Sequence, residues 1–225
     1  MKKPKLLKNM NWQTALFLIL TPISALILVP TYLILNEWNW WIAFLFIFFY
    51  VMTTMSITAG YHRLLAHRAY QANPLLKSFF LLVGGPAAFQ GSALEWCSDH
   101  RRHHQYVDTE NDPYNIKNGF FFAHIGWMLK KTSPQKKAAF GRDLLNDKLV
   151  VWQHNNYMWL AIANCFLAPL LIGFTFGAPF GAFIFAGVTR LVLAHHATFF
   201  INSLCHTFGR QTYQKENTAR DSLIL

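Results

Sequence analysis

The chain has 225 residues, 53% of them hydrophobic and 16% aromatic, with only 13% charged, a balance that excludes an ordinary soluble domain, in which about one residue in four is charged. Twenty Lys and Arg against ten Asp and Glu leave a formal charge of +10, which suits an anionic membrane surface or a phosphorylated substrate. Nucleic acid is not an expected partner, because long apolar spans interrupt the basic residues.

The N-terminus, "MKKPKLLKNMNW", is basic and opens onto an apolar run with no small-residue cleavage site, so an uncleaved membrane anchor is expected. A membrane helix needs about 20 residues at 1.5 Å each to cross roughly 30 Å of hydrocarbon. Runs of that kind lie at about 14–35, 40–58, 157–174 and 180–200. The first pair is joined by "NEWN" and the second by the Gly- and Pro-rich "GFTFGAPFGA", so two helical hairpins are predicted, with Pro22 and Pro30 bending the first helix. The run from Pro74 to Trp96 is broken by Lys77, Gly84, Gly85 and Pro86, and reads as a buried or interfacial helix. Neither short turn carries Lys or Arg. The positive-inside rule therefore puts both turns outside the cytoplasm, with both termini and the polar region at about 59–156 inside it. The fold class expected is all-α: one integral-membrane domain over 1–225, four transmembrane helices in two hairpins under a cytosolic helical cap, in a bacterial inner membrane. Cys97, Cys165 and Cys205 lack CxxC spacing, which argues against a zinc knuckle or disulfide framework and for buried, reduced thiols.

All ten histidines follow the second span, most of them just beyond a predicted membrane boundary. His100, His103 and His104 stand at i, i+3 and i+4, which puts three imidazoles on one helix face. His62 and His67 are five apart, about 140° around an α-helix, so they meet at one site only across a cleft or from a helix end, or else serve different metals. Imidazoles at turn spacing beside apolar helices are how helical bundles build metal sites. Zinc saturates at about four ligands and usually mixes in Cys or carboxylate, so an excess of histidine without CxxC suits two oxygen-activating metals, iron first.

"HRLLAH" fits HxxxxH and "HRRHHQ" fits HxxHH, and with their order, spacing and hairpins they resemble the membrane-bound fatty acid desaturases. The likeness is to the acyl-CoA Δ9 branch, through "GYHRLLAHRAY", "EWCSDHRRHHQYVDTENDPYN", "HIGWML" and "HATFFINSLCHTFGRQTY", and it extends from the first span onward. The resemblance implies two non-haem Fe ions that use O2, with two electrons from cytochrome b5, rubredoxin or a ferredoxin-like donor and its reductase. The reaction it implies puts a cis double bond, at Δ9, into a saturated acyl chain carried on CoA, acyl carrier protein or a lipid. Carried over by motif, the metal ligands are His62, His67, His100, His103, His104 and His206, with Asn202 acting through a water. Asn202 and His206 are i, i+4, so one site is within reach of both. Asp99 and Asp112 are the expected acceptors that orient the imidazoles.

The same resemblance gives Gln90, Trp96 and Phe199 as residues shaping the bend of the acyl tunnel, although the family usually has Trp where Phe199 stands. Lys130 and Lys131 would meet the phosphates of CoA, or else anchor to anionic lipid, and "KKTSPQKK" from Lys130 onward would serve both. A further HxxHH box expected downstream of "NSLCH" does not occur within the 225 residues, so the family's C-terminal part is expected to be missing and the metal centre to be short of ligands. His124, His154, His195 and His196 are spare imidazoles outside the boxes. The competing readings are a membrane fatty-acid hydroxylase, against which "HATFFINSLCHTFG" argues, and a non-catalytic truncated paralogue that binds metal or a partner.

Overall fold

The computed structural model describes residues 9–131, 140–212 and 216–221. Among them the long elements are all helical: α1 (Trp12–Leu35), α2 (Trp40–Ala66), α3 (Pro74–Ala87), α4 (Ala93–Tyr106), α5 (Phe120–His124), α6 (Lys148–Asn155), α7 (Tyr157–Thr175) and α8 (Pro179–His206). Extended pairing in the described residues is confined to two isolated bridges, Met10 with Lys130 and Arg210 with Asp221.

Helices α1, α2, α7 and α8 are long and apolar enough to cross a membrane. Helix α1 runs unbroken through Pro22 and Pro30 and buries only Ala15 of its 24 residues, so its aliphatic surface is left for lipid. The second and fourth spans outrun their hydropathy. Helix α2 continues past the expected boundary at 58 to Ala66, and α8 past 200 to His206. Apolar composition marks where the hydrocarbon stops, while the backbone ladder goes on through polar residues into the cap.

The two hairpin turns lie side by side. Asn39 caps α2 by accepting from the Trp41 amide, and its Nδ2 donates to the Phe176 carbonyl at 3.0 Å. Trp41 stacks on Phe176 with ring centroids 4.3 Å apart. With both turns at one end, the C-terminal ends of α2 and α8 emerge together at the other.

Helix α3 begins on an Asn73 cap with Pro74 at its first position. Its length of about 21 Å at 1.5 Å per residue cannot span a bilayer. Its C-terminal carbonyls are buried, where an unpaired polar group is costly, and other helices satisfy them. Asn164 donates to Leu82 O at 3.0 Å, Arg190 to Ala87 O at 2.7 Å and His195 Nε2 to Ala88 O at 2.9 Å. Arg190, 0% exposed, also reaches Ala186 O, Thr53 Oγ1 and both the carbonyl and thiol of Cys165. One guanidinium thus ties α2, α3, α7 and α8, with no carboxylate partner among the described residues. The close approach of α3 to α2 depends on Gly84, where a Cβ would lie 1.8 Å from Ser56 Oγ. Cys97 and Cys165 are buried free thiols, as expected, whereas Cys205 is half-exposed because it sits in the short turn that ends α8.

Candidate metal centre

The end of α2 explains how two histidines five apart come together. Ser56–Ala66 is π-helical, with i→i+5 hydrogen bonding that stacks residues five apart. The His67 amide donates to His62 O at 2.9 Å, and the two rings sit 4.6 Å apart. The turn is held from α4 by Arg101, whose Nε and Nη2 donate to Ala66 O (3.0 Å) and Leu65 O (2.7 Å) while Nη1 reaches Phe140 O and Asp143. Helix α4 is itself capped by Ser92, which accepts from the Glu95 amide.

This clamp sets His67 against α4. His67 Nε2 lies 3.0 Å from His100 Nε2, which lies 3.1 Å from His104 Nε2. With His62, the ligand atoms of all four imidazoles fall within 4.8 Å of one another. Burial, and then the neighbouring imidazoles, push His100 far below the usual histidine range, and the same causes push His104 down to about 4. Burial and then Arg101 lower His67. Neutral imidazole is the form that offers a lone pair to a metal, so this donor set fits a cation with a preference for nitrogen ligands.

His103 does not join that group, although its spacing places it on the same helix face. Its Nδ1 donates to the buried Asp112 Oδ1 at 2.9 Å, its ring packs 4.3 Å from Tyr114, and its neighbour on the other side is His206, centroids 5.3 Å apart. The three α4 imidazoles are therefore shared between two groups, because Asp112 draws His103 away from His100 and His104. His206 is oriented in a similar way. Its Nδ1 bonds Thr218 Oγ1 at 2.8 Å, and Thr218 donates its hydroxyl to Asp108 Oδ1 at 2.7 Å and its amide to Asp108 Oδ2 at 2.6 Å. In each ring the outer nitrogen is occupied and Nε2 is left as the donor atom, the arrangement in which an acceptor behind the ring fixes a metal-binding histidine. Asn202 lies one turn before His206, half-buried on α8.

Of the two acids favoured by sequence, Asp112 takes the orienting position and also accepts from the Asp108 and Tyr114 amides. Asp99 is half-buried on the Tyr114 side of α4. Sequence reading did not single out Arg101, Tyr114 or Thr218. Thr218 is twelve residues beyond the histidine it orients, and no motif marks it. The spare histidines are engaged elsewhere: His154 Nδ1 with Ser92, His195 with Ala88 O, and His124 with both Ser203 and His196, each at 3.0 Å.

Trp96 stacks on His100 (4.9 Å, 21°) and donates its indole N–H to Gln90 Oε1 at 3.3 Å. Gln90 Nε2 in turn donates to Thr198 Oγ1 at 2.9 Å, next to the buried Phe199. These residues form a continuous wall from the histidines to α8. Lys130 and Lys131 are exposed, with Lys130 Nζ 4.5 Å over the Phe122 ring, and both are tied to the N-terminal arm through Met10 and Asn9. The rest of the basic stretch, from 132 on, lies outside the described residues.

A sequence model of the family described as Fatty acid desaturase matches residues 38–224. The chain belongs to the fatty acid desaturase family. The desaturase match is echoed by individual relatives. A probable acyl-CoA desaturase of Schizosaccharomyces pombe is 45% identical over 79% of this chain and 37% of its own length. Acyl-CoA desaturase 1 of Saccharomyces cerevisiae is 42% identical over 80% and 36%, and the delta(9)-fatty-acid desaturase fat-6 of Caenorhabditis elegans 38% identical over 87% and 59%. The chain thus spans between about a third and three-fifths of the length of these relatives. With four membrane-length helices, this desaturase-family chain is an integral membrane protein.

Proposed function

We propose that this chain takes part in oxygen-dependent desaturation of a saturated fatty acyl thioester to the cis-Δ9 monounsaturated product. The observation that carries the reading is the pairing of two imidazole groups at the shared end of α2 and α8, His62, His67, His100 and His104 in one and His103 with His206 in the other. These residues would hold two non-haem iron ions, with Asn202 contributing through a water. Bound iron with O2 and two electrons supplies the oxidising power to remove hydrogen from unactivated methylenes.

The chain's own residues do the rest. Asp112 and the Asp108–Thr218 pair keep the outer nitrogens of His103 and His206 protonated and their rings aimed. An unactivated methylene offers no polar handle, so selection between carbons rests on shape. Trp96, Gln90 and Phe199 form the wall against which an acyl chain would turn. Lys130 and Lys131 would meet the phosphates of a nucleotide carrier, chemistry to which a paired ammonium surface is suited. The histidine-bearing end faces the cytoplasm in this reading, where a cytochrome b5, rubredoxin or ferredoxin donor with its reductase has access.

Expression of the chain extended by a downstream segment that supplies the further HxxHH box, in cells unable to make unsaturated fatty acids, followed by mapping of the double bond, tests the proposal. The expected result is rescue of growth with a Δ9 monoene. Growth that stays dependent on added unsaturated fatty acid, or a hydroxylated product, counts against it.

A further inference from the structure

The turn between α3 and α4 carries strained backbone. Phe89 (φ 54°) and Gly91 (φ 100°) both lie in the left-handed region, which is costly for a bulky side chain and persists only where the surroundings enforce it. Between them stands Gln90, the residue that links Trp96 to Thr198. Three contacts from other helices fix the turn. The Phe17 ring of α1 stacks on Phe89 at 4.7 Å, Tyr157 Oη of α7 accepts from the Gly91 amide at 2.9 Å, and His195 of α8 donates from Nε2 to Ala88 O at 2.9 Å.

His195 is distinct among these contacts because it joins the turn to the other side of the wall. Its ring is 4% exposed and stacks on Phe199, centroids 5.4 Å apart and planes 28° apart. A carbonyl only accepts, so the bond requires the proton on Nε2 and fixes both tautomer and ring plane. Gln90 and Phe199 are thereby held in one register by a single imidazole that belongs to neither histidine group.

We infer that His195 is a positioning residue: its bond to Ala88 O fixes the Phe89–Gly91 turn, and through Gln90 and Phe199 sets which carbon pair of an acyl chain lies beside the histidines. The second half rests on the desaturase reading proposed above. Arg190 also bonds this helix end but serves four helices, so its loss would unsettle the whole bundle, whereas the hydrogen bond His195 makes outside its own helix is to the turn, beside its ring contacts with Phe199 and Phe17.

Hydrogen exchange on the full chain in detergent, comparing wild type with His195→Leu and His195→Gln, tests the first half. Leu removes the donor, and Gln keeps an N–H able to reach Ala88 O. The Phe89 and Gly91 amides are expected to exchange about tenfold faster in the Leu variant, equivalent to about 1.4 kcal/mol, with α6 unchanged and Gln within about twofold of wild type. Unchanged exchange with Leu, Gln as fast as Leu, or equal acceleration in α6 would overturn the inference. In the growth assay His195→Leu is expected to move part of the double bond by one or more carbons. A loosened turn with the double bond unmoved refutes the specificity role. A wild-type chain that makes no monoene counts against the desaturase reading instead, while exchange still decides what His195 does to the turn.

Discussion

His103 and His206 each have one ring nitrogen engaged, by Asp112 and by Thr218, so the direction of the other is set before any ligand arrives. Loss of such an acceptor typically weakens metal binding about 10- to 100-fold. Asp112→Ala and Thr218→Val are each expected to do so at the His103–His206 pair while leaving the four-imidazole group intact, as read by titrating purified protein with ferrous or cobaltous ion. Arg101 is the residue on which the other group depends. Arg101→Met strips partners from the Leu65 and Ala66 carbonyls, at about 1–3 kcal/mol for each buried group left unpaired, and is expected to lower the melting temperature in detergent and the affinity of that group together. The clamp has a pH signature. Burial alone would raise the Asp143 carboxyl, but the Arg101 and Arg68 guanidiniums overcome it and hold it at about 2. A folded value below the unfolded one, about 3.9, means the contribution is full above pH 4 and lost as pH falls through 2. Melting temperature should fall with acid over that window, and Asp143→Asn should flatten the fall.

At the scale of elements, the four spans were legible because hydropathy reports directly on the solvent a helix sits in, and the short α3 because Lys77 and Pro86 interrupt its run. The π-helical end of α2 was not. Angular arithmetic at 3.6 residues per turn separates His62 from His67, and nothing in "SITAGYHRLLA" announces a change of winding; what imposes it is long-range, the Arg101 bonds and the packing of α3. Likewise the split of the α4 histidines follows from Asp112, which returns to the helix only after a loop. The contact between Gly84 and Ser56 lies just where the winding changes. Gly84→Ala is expected to destabilise the protein by about 1–3 kcal/mol through overpacking, with Ser56→Gly in the same chain recovering part of it, measured by thermal unfolding in detergent.

For the whole molecule, the pairing of the hairpin turns through Asn39 and Phe176 means that one end of the bundle carries aromatic residues and the other the histidines and most of the cations. In a chain with Cys205 replaced by Ser, single cysteines at Asn36 and Gly177 should both react with a membrane-impermeant thiol reagent in intact cells, and one at Arg63 only after permeabilisation. The reverse pattern would invert the proposed orientation. The order in which the two histidine groups are completed along the chain has its own consequence. His62, His67, His100, His104, Arg101 and Asp143 all precede the last two membrane helices, whereas His206 ends the second of these and Thr218 follows it. During synthesis the four-imidazole group has every one of its side chains before α7 reaches the membrane, while the second group waits for α8. The first group is thus encoded ahead of the membrane hairpin on which the second depends, and removal of α7 and α8 would take away His206 and Thr218 but none of the four clustered imidazoles.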